Sequence, residues 1–258
     1  MLSDWMKASV SVEPYSRLAE IYDHVMRHVN YRDWAAHLRR LFSYADIAVN
    51  DVLDISCGTG SLMLELRGLG YHVAGFDASH AMVRIAQRKF KTKQARGRIW
   101  CGRMECVAVS KRFDAVVSTY DSVNYCLRAD ALRLAFEQVA SVLRQGGVFV
   151  FDISTTRNSR KYFQNYYDRD KTEAFEYVRQ SYYLSQSQRQ VNEFYVRRLA
   201  DGKTFFYEKH QQRIYTIDEI ENIIPSESFN LIGVYDGFSL QPGSEESDRV
   251  HFMLKRNG

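Results

Sequence analysis

Two stretches of this chain are spaced to hold a nucleoside. Asp51-Val-Leu-Asp-Ile-Ser-Cys-Gly-Thr-Gly60 runs from β-branched residues into a glycine turn, and Ser61-Leu-Met-Leu-Glu-Leu-Arg67 then opens an apolar helix. Glycines at a strand-to-helix turn let the backbone approach a ligand and leave helix N-terminal amides free to meet it. Seventeen residues past Gly60, a second strand, Tyr71-His-Val-Ala-Gly-Phe-Asp77, ends in a carboxylate. In a doubly wound sheet, ribose hydroxyls lie at that position. A dinucleotide fingerprint counted from Gly58 would need a third glycine at 63, where the chain has Met63, so a dehydrogenase reading is weakened.

Acid–base candidates lie near the same edge. They are Asp121, just after the fourth strand, and His210, with Tyr22 and Tyr125 as hydrogen-bonding walls. Each has a plainer alternative. Asp121-Ser122 is equally suited to capping a turn, and His210 and Arg213 share a strand with Gln211 and Gln212, as a solvated or cross-strand pair would. Tyr22 and Trp34 sit at helical spacing, where aromatic residues pack. For Asp77 the plain reading, a strand-end turn acid, is weak, because the glycine turn before it has the expected spacing.

These residues need a scaffold, and the pattern supplies one. The chain has 258 residues, 45% of them hydrophobic, enough for one large domain or one domain with a sizeable appendage. Helices are expected over Tyr15 to Met26, following Pro14, with Leu18, Ile21, Tyr22, Val25 and Met26 on one face, and over Tyr31 to Phe42, with Trp34, Leu38 and Leu41 inward and Arg32, Arg39 and Arg40 outward. From Asp51 to Ile153 strands near 51–55, 71–76, 97–101, 113–118 and 147–153 alternate with helices near 60–69, 79–91 and 129–144, the sign of a parallel sheet. Right-handed crossovers then bring Ser56, Asp77, Arg103 and Thr119 to one edge. Residues 172–215 read as three long antiparallel strands with a hairpin turn at Ala200-Asp-Gly-Lys203. A helix capped by Thr216 and ended by Pro225 leads to two closing strands near 229–235 and 249–255. The division expected is 1–48, an N-terminal helical lid; 49–155, the nucleoside-binding core; 156–215, an inserted β-rich lid; and 216–258, the closing helix and strands.

Composition prunes the partners. A net charge of +4 comes from interspersed Lys and Arg without a long basic run, which reads as a solvated surface and argues against a nucleic-acid stripe. The first residues lack the basic start and apolar core of a signal peptide and no apolar run is long enough to span a bilayer, so the reading is cytoplasmic with no membrane partner. Cys57, Cys101, Cys106 and Cys126 have no paired Cys-x-x-Cys spacing, so no metal site or disulfide framework is expected. Tyr and Phe concentrate in the insertion, from Tyr162 to Tyr207. Such residues suit an acceptor pocket, the filling of a small sheet, or a homodimer contact through the β-rich lid.

Taken in order, Tyr22-Asp-His-Val-Met26 with Tyr31-Arg-Asp-Trp34, Leu53 to Gly60, Gly75-Phe-Asp-Ala-Ser79 with Met82, Phe113-Asp-Ala-Val-Val-Ser118, Asp121-Ser-Val-Asn-Tyr125, Gly146-Gly-Val-Phe-Val-Phe-Asp152 and His210-Gln-Gln-Arg-Ile-Tyr215 resemble a bacterial group of class I S-adenosylmethionine-dependent methyltransferases. That group is similar to glycine and aminosugar N-methyltransferases, and the resemblance runs from about Tyr15 to Lys255. It implies a Rossmann-like α/β fold: a seven-stranded sheet with an N-terminal helical lid and an inserted antiparallel β lid. It also implies S-adenosyl-L-methionine as cofactor and S-adenosyl-L-homocysteine as product. By the same resemblance Asp77 binds both ribose hydroxyls, Ser56 and Gly58 lie under the methionine moiety, and Tyr22 and Trp34 are lid aromatics beside the cofactor. Ala78, Met82 and Thr119 complete that set. Where the family has Asp-Met, this chain has Arg103-Met104, so Met104 packs on adenine while Glu105 or a backbone carbonyl replaces the missing acid.

Methyl transfer from a sulfonium rests mainly on positioning and exclusion of water. A base matters only for an acceptor that arrives protonated, and Asp121, His210 and Tyr22 are the catalytic candidates, with Asn124, Tyr125 and Arg213 toward the acceptor. The reading is transfer to the nitrogen or oxygen of a small molecule by in-line displacement. Its rivals are an RNA or protein methyltransferase, which a single contiguous basic face beside the cofactor edge would favour, and a protein that binds the cofactor without transfer. Pro14, Pro225 and Pro242 are the only prolines, so the Asn-Pro-Pro-Tyr clamp for a flipped base and the Pro-Cys motif of pyrimidine C5 chemistry are both missing.

Overall fold

The computed structural model describes residues 9–202 and 204–258. It begins with a short strand, β1 (Ser9–Ser11), a 3-10 turn (Leu18–Ile21) that runs into a single turn of helix, α1 (Tyr22–Val25), and a longer helix, α2 (Tyr31–Tyr44). Strand and helix then alternate through β2 (Asp51–Asp54), α3 (Ser61–Gly68), β3 (His72–Asp77), α4 (His80–Thr92), β4 (Arg98–Cys101), β5 (Phe113–Ser118), α5 (Ala129–Val142) and β6 (Leu143–Ser154). Four antiparallel strands follow, β7 (Tyr166–Lys171), β8 (Phe175–Leu184), β9 (Arg189–Arg198) and β10 (Phe205–Arg213), before α6 (Ile217–Ile223), β11 (Phe229–Asp236) and β12 (Arg249–Arg256).

The core sheet has seven strands in the order β11-β12-β6-β5-β2-β3-β4. Its five central and edge strands from β6 to β4 are parallel, and β12 and β11 close it with antiparallel pairs. Strands covered on both faces read as continuous apolar runs, and Val148, Phe149, Val150 and Phe151 are all fully buried. One face packs on α5 and α6 through Leu132, Phe136, Val139 and Ile220, and the other on α2 and α3 through Trp34, Leu38, Leu41, Leu62 and Leu66. Helix α5 stops at Val142, and β6 starts at Leu143 instead of near 147, with Gly146 taking the bend at φ 72°.

The insertion forms a second sheet in the order β1-β10-β9-β8-β7. It has five strands rather than the three expected, because β7 pairs with β8 and the N-terminal β1 adds parallel to β10, Ser9 facing Phe205. The N-terminal segment is therefore only partly helical and shares its backbone ladder with the insertion. Gly202 of the expected hairpin turn adopts φ 77°, and Lys203 lies outside the described residues.

The single helix expected over Tyr15 to Met26 is replaced by a tight turn and two short helical pieces. Tyr15 has φ 60°, a left-handed backbone that cannot open a helix. The amides of Tyr15, Arg17 and Leu18 instead donate to the fully buried Glu208 carboxylate of β10 at 2.7, 2.6 and 2.9 Å. Unpaired amides at the start of a helical turn favour an anion, and here that anion comes from another sheet.

A buried network joins the ends of β5, β6, β10 and β12. Arg249 donates to Asp152 and, at 2.6 Å, to Asp121; Gln212 also donates to Asp121; and the Asp121 amide donates to Asp152 at 2.8 Å. Burial raises both carboxyls above their ordinary range, and the Arg249 charge opposes it. Removing one member of a buried ion group strands its partners at a cost of about 3–5 kcal/mol. Arg249→Ala is therefore expected to lower the unfolding free energy by about that amount, read from urea titration; a change below about 1 kcal/mol would mean that the network bears little load.

Candidate active site

The site grows from the turn after β2. Gly58 and Gly60 take left-handed φ values of 52° and 78°, and a Cβ on Gly60 would stand 3.1 Å from the Ala86 Cβ of α4. The turn is laced to its neighbours by Ile55 N–H to the Val117 carbonyl at 3.0 Å and Cys57 N–H to the Phe76 carbonyl at 2.9 Å. The position that a dinucleotide fold would give to a third glycine holds Met63, fully buried against Gly75, where an added Cβ would come within 2.6 Å of its sulfur.

Asp77 ends β3 directly beside this turn. Its Oδ2 accepts the Gly58 amide and its Oδ1 the Ser79 amide, both at 2.9 Å, so the carboxylate is aimed by one donor on each oxygen. Each oxygen retains a lone pair for a ligand hydroxyl. Burial raises the Asp77 carboxyl above its ordinary value, and the two amides partly offset that rise. Beneath the turn, Asp54 is 2% exposed, and burial, with the Asp77 charge adding to it and the Ser56 amide at 3.0 Å opposing it, pushes its carboxyl up to about 7.

A cavity of about 690 Å³ opens over the turn, within the roughly 300–1,000 Å³ typical of ligand pockets. One wall is Ser56, Gly58, Asp77, Ala78, Met82 and Met104, and a second is Tyr15, Tyr22, Ser122, Tyr125 and Cys126. Met104 is held by the Cys126 thiol at 3.4 Å, while Arg103 turns outward to pair with Glu105 at 3.1 Å. Glu105 also borders the cavity, at the place where the sequence has no acid in the expected position.

Behind the second wall runs a chain of polar groups. The Tyr15 and Tyr125 hydroxyls are 2.6 Å apart, Tyr125 Oη lies 3.2 Å from His210 Nδ1, and His210 Nε2 lies 3.1 Å from Glu208 Oε2. Burial alone would raise the Glu208 carboxyl, but His210 and the amides of Leu18 and Arg17 outweigh it and hold the group below its ordinary value. Burial raises the phenols of Tyr15, Tyr22 and Tyr125, which keeps them as neutral hydroxyls. His210 is buried, against the solvated alternative for its strand. Glu208 and Tyr15 escaped the sequence reading. Glu208 and His210 at i and i+2 share one face of a strand, a usable signal, whereas no local pattern marks the turn at Tyr15.

Other residues expected at the site lie elsewhere. Trp34 packs edge-on against Phe238 and His251, with ring centroids at 4.9 and 5.4 Å, because it shares the inward stripe of α2 with Leu38 and Leu41. Thr119 does not line the cavity; its carbonyl accepts the Ser122 hydroxyl at 2.8 Å. Asp121 is engaged by Arg249 and Gln212 and is not a cavity wall. Asn124 is buried as a clamp, donating to the Arg213 carbonyl at 2.6 Å and accepting from the Ser154 amide at 3.3 Å. The Arg213 guanidinium pairs with Glu219 at 2.9 Å and lies over the Tyr215 ring. Among the described residues no cluster of His, Cys, Asp or Glu is placed to hold a metal, and no helix is long and apolar enough to cross a membrane.

Comparisons with known proteins identify the family and the fold. Residues 52–147 match the model of a methyltransferase domain. A putative methyltransferase of Geobacillus sp. (strain WCH70) is 30% identical over 249 residues, which span 94% of this chain and 99% of that protein. The crystal structure of an S-adenosylmethionine-dependent methyltransferase from Clostridium acetobutylicum ATCC 824 superimposes with a TM-score of 0.79 at 26% identity, over 95% of this chain and 99% of the other. A dTDP-4-amino-2,3,4,6-tetradeoxy-D-glucose N,N-dimethyltransferase of Saccharopolyspora spinosa is 28% identical over 137 residues, 52% of this chain and 53% of that enzyme.

Two outcomes are expected. Asp77→Ala should weaken S-adenosylhomocysteine binding at least about tenfold, the scale of a lost charge-assisted hydrogen-bond pair, and an unchanged calorimetric affinity would remove Asp77 from the site. Asp54, with its folded value near 7 against an ordinary 3.8, holds a proton that the unfolded chain has lost. Its contribution is present at low pH and disappears as pH rises through that window, so ligand-free stability should fall more steeply from about pH 4 to about pH 7 in the parent chain than in Asp54→Asn. Parallel pH profiles would show that Asp54 does not titrate there.

Proposed function

Because the chain belongs to the class I S-adenosylmethionine-dependent methyltransferases, we propose that it methylates a nitrogen nucleophile on a small molecule, by in-line displacement at the sulfonium methyl. The observation that carries this reading is the hydrogen-bonded chain from the cavity wall to Glu208. The N,N-dimethyltransferase relative, whose own acceptor is an aminosugar nucleotide, supports nitrogen over oxygen.

Asp77 and the turn at Ser56 and Gly58 would hold the cofactor, which would supply the methyl group and a sulfur leaving group that keeps the carbon–sulfur electron pair. The acceptor's nitrogen lone pair forms the new carbon–nitrogen bond, and the nitrogen, now positively charged, sheds a proton. This chain's residues are arranged to receive it. Glu208, kept ionised, accepts from His210 Nε2–H, and that tautomer leaves Nδ1 as an acceptor. Tyr125 then donates to Nδ1, and Tyr15 donates to Tyr125. The Tyr15 oxygen keeps lone pairs toward the cavity for an acceptor N–H. The proton shed by nitrogen passes along the hydroxyls to His210 Nδ1, with Glu208 balancing the imidazolium formed. Asp121 has no part in this route, since Arg249 and Gln212 hold its oxygens.

Tyr22 stacks edge-on to Tyr15 at 5.8 Å and completes the wall that keeps water from the methyl. His210→Asn and Tyr125→Phe should each lower kcat, by about 100-fold where proton removal limits the step, and leave S-adenosylhomocysteine affinity unchanged by calorimetry. The decisive experiment supplies labelled methyl donor with fractionated metabolites and locates the label by mass spectrometry. Label on the nitrogen of a small molecule is the expected result; label confined to oxygen or to macromolecules would overturn this reading.

A further inference from the structure

Between His80 and Arg103 the chain has eight Lys and Arg and no Asp or Glu, against a net charge of +4 for the whole sequence. No long basic run announces this, because apolar residues of α4 and β4 separate the cations. Folding gathers them. Lys89 pairs with Asp23 and Arg103 with Glu105, but Arg84, Arg88, Lys91, Lys93, Arg96 and Arg98 are exposed and, among the described residues, make no ion pair. Arg84, Arg88 and Lys91 stand at i, i+4 and i+7 on one helical face, a row of charges roughly 4.5–6 Å apart along the axis.

The surface around this row is grooved. A cleft of about 760 Å³ runs between α4, the 3-10 turn and the rim of the lid sheet, with Arg84, Arg88, Lys91 and Arg198 on its walls and, among the described residues, Glu20 as its only acid. It shares Lys91 with a second cleft of about 460 Å³, which is continued past Arg98 and Trp100 into a third that reaches Arg67 and Arg96. The first cleft also shares Ala81 and Arg84 with the cofactor cavity. One basic track thus passes from the mouth of the active site along α4 to the free edge of β4, the last strand of the core sheet.

We propose that this track is a docking surface for the backbone of a single-stranded nucleic acid. A linear row of unpaired cations matches a polyanion, whose binding releases condensed counterions. Half-buried Phe175 and Trp100 on the cleft walls offer faces on which unpaired bases can stack. An anionic membrane is a poorer partner, because interfacial helices also insert large apolar side chains and none of the exposed large apolar residues falls between His80 and Arg103. The track adjoins the cofactor cavity, the placement that favours an RNA acceptor; the proposal concerns docking alone and stands whichever class of acceptor receives the methyl.

The test is fluorescence anisotropy of the whole chain with a labelled mixed-sequence RNA of about 20 nucleotides, long enough to span one ssDNA-type binding site, at salt from about 50 to 200 mM. Binding at the low end is expected, with log affinity falling against log salt by about 0.7 per phosphate neutralised. Combining Arg88→Gln, Lys91→Gln and Arg98→Gln should weaken binding at least about tenfold and flatten that slope by about 2, three phosphates' worth. Cofactor affinity and thermal midpoint should be retained. Arg32→Gln, Arg39→Gln and Arg133→Gln together, which remove the same charge elsewhere, should change binding less than about twofold. No binding at low salt, equal losses in the two triple variants, or adsorption to anionic vesicles without binding to RNA would each overturn the proposal.

Discussion

Buried carboxylates must each find donors, and the architecture of this protein follows from how five of them do so, four at or near the C-terminal ends of the core strands and Glu208 in the second sheet. Asp77 takes two backbone amides from the glycine turn and the start of α4. Asp121 and Asp152 share Arg249, Glu208 takes the amides of the N-terminal segment, and Asp54 is left with a single amide. Burial raises Asp77, Asp121 and Asp152 against the pull of their donors, raises Asp54 furthest, to about 7, with one amide opposing it, and is outweighed only at Glu208, where His210 and two amides hold the carboxyl below its ordinary value. A buried charge without partners would cost several kcal/mol, so these pairings set which loops can close over the edge.

The N-terminal segment and the insertion consequently act as one cover. Strand β1 extends the lid sheet, and Glu208 of β10 fixes the turn that brings Tyr15 over the cavity. Leu18, Ile21, Val25 and Met26 pack with Tyr177, Phe194 and Val196 of the lid in a separate apolar cluster. The lid's aromatic residues thus divide their work. Some fill this small core, and Tyr15 and Tyr22, together with Tyr125 from the turn after β5, present neutral phenols to the site.

A reaction that depends on positioning and dryness needs little else from the protein. Neutral hydroxyls can meet an uncharged acceptor without attracting ions, and the ionised Glu208 stands behind Tyr15, Tyr125 and His210 in the hydrogen-bonded chain. Most of the unpaired cations lie outside the cavity, along α4 and β4, and Arg84 belongs to both surfaces.

The parallel core was legible from local pattern because the alternation of apolar strand, glycine turn and amphipathic helix is written within short windows. The place of Asp77 beside the glycine turn was legible for the same reason, since that spacing is measured along the chain. Sequence periodicity also placed Trp34 on the inward stripe of α2, but only packing decided that this stripe meets Phe238 and His251 and not the cavity. Tertiary structure alone supplied Glu208 as the partner of the Tyr15, Arg17 and Leu18 amides, because hydrogen bonds between residues some 190 positions apart leave no periodic trace. It likewise broke the expected first helix, committed Asp121 to Arg249, and aligned scattered cations into one face, each an outcome of which surfaces meet in space once the sheet has formed.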